Sequence, residues 1–309
     1  MKRNKKKSLL VAEYIEERVR EKRRLGKQST AELYRAAGNH FLQFLGDGSY
    51  RMEEITRTMV LDFGDYLKSA GLRINSINSY MSCLRAIYNA AFRDNLISPS
   101  EQSFSGLKLR REDTCKRAVS LHWMELLARM KWREEERDLE RAADLALFCF
   151  MACGMPFVDA LHLKKENVVG DVLTYHRQKT GIAISIRLTA GMKRILNKYK
   201  NHSPYLFPWI GEAGSHSQYK RLLRQYNQAL RVIGRRLHIP VRLSSYVFRH
   251  TWASTAFRRH VPVSVIGKAL GHTSEKTTRI YLEQLDRREQ DKANQRVIDS
   301  VERLVCHNR

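Results

Sequence analysis

Cysteine is sparse and scattered in this chain, with five residues in 309 (Cys83, Cys115, Cys149, Cys153 and Cys306) and no CxxC pair. That excludes a disulfide framework and a zinc cluster, and it fits a reducing cytoplasm. Cys149 and Cys153 are four apart and would share a helix face, but they lie in an apolar run without nearby ligands and read as small core residues. Long apolar runs are missing too. The longest, residues 145–158 between Asp144 and Asp159, falls short of the roughly 20 residues of a bilayer span; it reads as a buried helix, and no membrane partner is expected. The start MKRNKKKSLL carries the charge of a signal peptide, yet Glu13, Glu16 and Glu17 interrupt any apolar region, so residues 1–7 read as a flexible basic arm touching phosphates. There is no GxxxxGK[ST] loop and no HExxH pair, so nucleotide-driven and zinc-hydrolase chemistry lack an anchor, and neither metal nor cofactor is expected. No repeat of 20 to 50 residues is found.

Acidic residues are the other shortage. Against 32 Asp and Glu stand 56 Lys and Arg, a formal charge of +24 spread along the chain. A large polyanion is the natural partner, although charge alone leaves DNA, RNA and a ribosome-associated role open. With 43% apolar residues, the chain is long enough for two domains, each with its own core.

Residues 8–98 read as amphipathic helices broken at 26–29, 46–49 and 71–75. Ile77, Tyr80, Met81, Leu84, Ile87, Tyr88 and Ala91 recur at three- and four-residue steps, forming one apolar face, while Asn78, Arg85 and Asn89 point elsewhere. That second face is either a DNA contact through Arg85 and Asn89 or an ordinary solvated face. Over 99–117 the apolar period disappears and Pro99, several serines, Gly106 and the cluster Lys108, Arg110, Arg111 enter. This reads as a basic interdomain linker that adds phosphate contacts without reading sequence.

A second domain, 118–284, begins with helical patterns and then changes period. Two β-like runs between Val172 and Leu188 flank Lys179-Thr180-Gly181, the second alternating Ile182, Ile184, Ile186 and Leu188 against Ala183, Ser185 and Arg187. This predicts a hairpin with a lysine at its tip. Helices return from about Gly191, one of them entered through the N-cap residues Ser244 and Ser245 just beyond Pro240. In it Tyr246 and Arg249 share a face opposite an apolar stripe of Phe248, Trp252 and Ala256, so Arg249 projects near a helix start, where the guanidinium and the helix field favour the same anion. Taken alone, a surface arginine paired with a carboxylate fits as well. The run from Val263 reads as a helix stopped at Gly271, followed by His272 and a further helix carrying Tyr281. The expected fold class is mainly α with a small antiparallel β-sheet (α+β). The tail, 285–309, is a charged helical pattern whose apolar side is Val297, Ile298, Val301, Leu304 and Val305.

LGHTSEKTTRIYL resembles the "LGH, Thr-Thr, Tyr" box of tyrosine recombinases of the phage-integrase family, and VFRHTWAST resembles their box with the second catalytic arginine. STAELYRAAGNHFLQFL and NSINSYMSCLRAIYNAAFRDNLI are similar to the helical, SAM-like core-binding domain that clasps DNA opposite the catalytic domain. The resemblance covers nearly the whole chain and implies a two-domain DNA clamp that breaks and rejoins strands without metal or ATP, storing the bond energy in a 3′-phosphotyrosine. It implies Tyr281 as nucleophile, Arg249 and His272 on the nonbridging phosphate oxygens, and Lys179 as general acid for the 5′-oxygen. It also implies DNA with paired recombination sites, assembly into a tetrameric synaptic complex, accessory DNA-bending proteins and a bacterial, nucleoid-associated location. The tail would dock on a neighbouring protomer or on its own domain.

Two positions depart from the family pattern. The box of the first catalytic arginine reads Gly154-Met155-Pro156-Phe157-Val158-Asp159, with proline where the arginine belongs. Tyr246 stands where a histidine is usual, and a phenol with a pKa near 10 can hydrogen-bond a phosphate but is a poor base. His250, on another face, reads as structural. Integration, excision and inversion all remain open, as does a cleavage-impaired relative acting as an architectural or regulatory DNA-binding protein.

Overall fold

The computed structural model describes residues 9–46, 48–97, 118–200, 202–211, 214–283 and 288–307 and the single positions 103, 104, 107, 109 and 112; from residue 280 onward side chains are described only in part. The chain divides into two compact units, residues 1–113 and 114–309.

Among the described residues the first unit holds four α-helices: α1 (Val11–Arg24), α2 (Gln28–Leu45), α3 (Arg57–Ser69) and α4 (Ile74–Arg93). Each is amphipathic and turns its apolar stripe to a shared core. Val11, Tyr14, Ile15 and Val19 of α1 meet Phe41 of α2, Phe63 of α3, and Ile77, Met81, Leu84, Ile87, Tyr88 and Ala91 of α4. The start of α3 is fixed by Thr56, whose hydroxyl accepts from the Met59 amide at 3.2 Å. The α4 face expected to be apolar is buried and widened by Cys83 and Ala90, while Arg85 is half-buried and Asn89 exposed. The segment expected to begin the linker still belongs partly to this core: Phe104 packs against Tyr88, and the Ser103 hydroxyl donates to the Ile55 carbonyl at 2.6 Å. Most of the remaining linker, including Lys108, Arg110 and Arg111, lies outside the described residues, as does the basic arm 1–7.

The second unit contains α5 (Leu121–Arg129), α6 (Arg137–Met151), α7 (Phe157–Leu161), three strands β1 (Val168–Val169), β2 (Val172–His176) and β3 (Ala183–Arg187), then α8 (Ala190–Lys198), α9 (His216–Arg236), α10 (Ser245–Arg258), α11 (Val263–Leu270), α12 (Glu275–Glu283) and α13 (Arg288–His307). The architecture is therefore mainly α with one small antiparallel sheet, in the order β1-β2-β3. The expected hairpin forms with Leu173 opposite Ile186 and Tyr175 opposite Ile184, both pairs on the covered face. The two-residue β1 adds an edge that no sequence alternation announced.

Four readings need correction. The apolar stretch 145–158 is not one helix: α6 ends at Met151, Cys153 and Gly154 adopt positive φ (56° and 68°), and α7 restarts after Pro156. Cys149 is buried but Cys153 sits in that turn, so the two cysteines do not share a helix face. Helix α10 carries no simple apolar stripe either. Val247, Phe248, Arg249, His250, Thr251, Ala253, Ser254 and Ala256 are all buried, because α6, α9, α11 and α12 surround it. Finally, Ser244 occupies the N-cap position of α10 but makes no side-chain cap bond; the Ser245 amide is instead taken by Asn227 Oδ1 of α9 at 2.8 Å.

Along α13, Val297, Val301, Leu304 and Val305 are exposed and Ile298 is half-buried. No helix among the described residues is long and apolar enough to cross a membrane.

Candidate active site

Arg249 is the buried centre of the site, 4% exposed. Its Nη1 donates to the Gly154 carbonyl at 3.0 Å and its Nη2 to the Leu270 carbonyl at 2.6 Å. Leu270 closes α11, so the guanidinium, carried near the start of α10, also rests on the negative end of α11. These bonds fix the fork from two sides. Gly154 is required for one of them, since its φ is +68° and an added Cβ would stand 2.9 Å from the Arg249 Cα.

The turn after α11 forms as expected. Gly271 takes the left-handed conformation (φ 65°, ψ 42°), and the His272 amide bonds back to the Gly267 carbonyl at 3.0 Å, a glycine-terminated helix end. His272 is thereby placed beside Arg249, Nε2 to Nη2 at 3.4 Å, with its Nδ1 3.0 Å from the Thr278 hydroxyl of α12. Thr278 is fully buried and serves either imidazole tautomer, accepting from Nδ1–H or donating to a bare Nδ1. Burial pushes the His272 pKa down to about 4, and the positive charges of Arg249, Arg177 and Lys179 act in the same direction. The ring is neutral at neutral pH.

Lys179 is exposed at the β2–β3 tip, close enough for its charge to bear on His272. The next residue, Thr180, ties the tip to the histidine turn through a 3.3 Å bond from its hydroxyl to the Gly271 carbonyl. Tyr246 is half-exposed on the first turn of α10, its ring 5.7 Å from that of buried His250. It is thus set apart in burial from Arg249, with which it was expected to share a face. Tyr281 falls within α12, between buried Thr278 and Leu282, but its side chain lies outside the described residues. Arg85 and Asn89 belong to the other unit. Among the described residues no group of three or more His, Cys, Asp or Glu could hold a metal ion.

The sequence reading missed Arg177. It continues the inward series Leu173, Tyr175 on β2, and its Nη1 lies 2.9 Å from Asp159 Oδ2, with side chains 6% and 0% exposed. Asp159 Oδ1 also accepts the Gln178 amide at 3.0 Å. Burial raises the Asp159 pKa, while Arg177, the Gln178 amide and Arg249 pull it back. Period-2 alternation carried two residues past Tyr175 would have flagged a charge on a covered face. Thr278 was also overlooked as a partner of His272.

Comparison with known proteins matches this architecture. Residues 10–104 fit the phage integrase SAM-like domain, and residues 126–288, more than half of the chain, fit the phage integrase family. The chain is 20% identical over 233 residues to an integrase of Escherichia phage P2, a match covering 74% of this chain and 61% of that protein. It therefore spans about three fifths of that relative's length. Among solved structures, it is similar to a lambda integrase dimer bound to a COC′ core site (TM-score 0.64, 15% identity, 92% of this chain and 80% of that one). It is also similar to the Tn1549 transposon integrase with a circular-intermediate DNA (TM-score 0.61, 14% identity, 89% and 95%) and to the XerH recombinase on its palindromic difH substrate (TM-score 0.62, 17% identity, 88% and 79%). With both family models satisfied in order along one chain and the integrase fold reproduced, this protein belongs to the phage integrase family of tyrosine recombinases.

Proposed function

We propose that the chain is a site-specific DNA recombinase, an integrase or invertase, that cleaves and rejoins strands through a 3′-phosphotyrosine on Tyr281. The observation that carries the reading is the gathering of Arg249 and His272 at 3.4 Å, within reach of the Lys179 charge, at the turn leading into the helix that bears Tyr281. Tyr281 attacks phosphorus and gives up its phenolic proton to solvent, the bond to the 5′-oxygen breaks, and the Lys179 ammonium donates a proton to that oxygen. One phosphodiester replaces another, and reversal of the step rejoins the strand. Arg249 and His272 hold the nonbridging oxygens where charge develops. Tyr246, exposed at the start of α10, hydrogen-bonds the DNA backbone and has no acid or base duty.

The partner is double-stranded DNA with paired sites. Relatives solved as a dimer on a core site and as a tetramer on a Holliday junction support assembly into a tetrameric synaptic complex. In that complex the exposed stripe of α13 docks in trans, and accessory bending proteins set direction. The protein works at the nucleoid. Arg85 and Asn89 contact DNA from the first unit, and Lys108, Arg110 and Arg111 contact phosphates from the linker. The domains divide as 1–7, 8–98, 99–117, 118–284 and 285–309.

Pro156 favours a second reading, an architectural protein that binds sites without efficient cleavage. Incubation with duplexes drawn from the flanking genome, followed by denaturing electrophoresis, separates the two. A covalent protein–DNA adduct that Tyr281→Phe abolishes is expected, whereas tight binding without adduct moves the assignment to the architectural role.

A further inference from the structure

Proline at 156 leaves Asp159, three residues on, as the one charged residue of its box. The fold does not leave it alone. Arg177, the residue after the end of β2, sets Nη1 2.9 Å from Asp159 Oδ2, yet the approach is off-line, and Nε and Nη1 of this 6%-exposed side chain have no hydrogen-bond partner. Leaving buried guanidinium donors unmet is costly, so their retention points to a ligand that would meet them. The stem of Arg177 runs under the turn that carries His272: a Cβ on Gly271 would fall 2.8 Å from its Cγ and 3.1 Å from its Cδ. Its backbone is pinned at both sides of the hairpin tip, its amide donating to the Ile182 carbonyl at 2.9 Å and its carbonyl accepting from Gly181 at 2.8 Å. Arg177 and Arg249 thus act on the same two neighbours, the carboxylate of Asp159 and the imidazole of His272.

We infer that Arg177, oriented by Asp159, is the second phosphate-binding arginine of this site and supplies from the hairpin the charge that Pro156 cannot. The assignment rests on the recombinase reading above. It makes the site a pair of guanidinium forks, one on α10 and one just past the end of β2, the second bringing N–H donors for a phosphate oxygen.

The test uses the full chain on the duplex that gives an adduct with the unsubstituted protein. Arg177→Gln, assayed on saturating duplex below its lowered unfolding temperature, should form adduct at least about a hundredfold more slowly. A substrate whose scissile phosphate is a methylphosphonate has no nonbridging charge to neutralise, so on it Arg177→Gln should recover most of the lost rate. Adding Pro156→Arg to Arg177→Gln should also restore cleavage of the normal phosphate. Equal losses on both substrates, or unimpaired cleavage by Arg177→Gln, overturn the assignment. Should Arg177→Gln fail to fold, Arg177→Lys takes its place with the same pair of substrates. Should the unsubstituted chain give no adduct, the recombinase reading fails first, and titration of the free protein with inorganic vanadate decides the site alone. The Arg177 Nε–H resonance then shifts and saturates together with that of Arg249, or, by staying fixed, refutes the inference.

Discussion

Replacing Asp159 by Asn tests whether the Asp159–Arg177 pair is as enclosed as its 0% and 6% side-chain exposures imply. Asparagine keeps the shape and an oxygen for the Gln178 amide, now 3.0 Å away, but removes the charge opposing Arg177. Breaking one partner of a buried pair costs about 3–5 kcal/mol, because the remaining ion stays desolvated. For a unit of this size each kcal/mol lowers the melting temperature by roughly 2–4 °C, so a fall of about 6–20 °C is expected. The double variant Asp159→Asn with Arg177→Gln should recover much of that loss, since no ion is then stranded, giving a coupling on the order of 2 kcal/mol or more in a thermal or urea cycle. A single-variant loss below about 1 kcal/mol, with additive effects, would mean the pair behaves as a solvated surface contact, and the packing argument for Arg177 would be wrong.

Three other outcomes follow from the same geometry. Gly154→Ala should cost roughly 2–5 kcal/mol in urea unfolding, combining about 1–2 for a left-handed alanine with about 1–3 for pressing Cβ on Arg249; a smaller loss would show that the loop relaxes freely. His272 has a folded pKa of about 4 against an ordinary 6.5, so between these values the unfolded chain binds more protons. Stability is then full above pH 6.5 and declines as pH falls towards 4, by on the order of 3 kcal/mol, a slope that His272→Gln should remove from a pH series of urea unfolding curves. Alanine at Lys108, Arg110 and Arg111 together should reduce the salt dependence of DNA binding by about 2–3 in the slope of log K against log salt, with no change in sequence preference; an unaltered slope would remove the linker from the interface.

Much of the fold could be read directly. The three- and four-residue steps of α4, the alternation of β3 and the glycine stop at Gly271 are local patterns, and local patterns survive in one dimension. What escaped depended on neighbours distant in sequence. Cys153 and Gly154 look like the continuation of an apolar helix until positive φ is needed to deliver the Gly154 carbonyl to Arg249. Tyr246 and Arg249 set against Phe248, Trp252 and Ala256 suggested an amphipathic α10, whereas the helices around it bury Arg249, His250, Thr251 and Ser254 as well. Arg177 escaped for a related reason. Its place beneath the histidine turn depends on Asp159, eighteen positions earlier, and on a glycine ninety-four positions later, neither of which any window of the sequence contains together with it.

The single bond from Thr180 to the Gly271 carbonyl gives the hairpin a latch. Lys179 is the next residue to that latch, so any displacement of the tip that opens it strips the histidine turn of a donor. Under the proposed reaction the acid and the imidazole are thereby tied together, and Thr180→Val would register in both the making and the remaking of a strand.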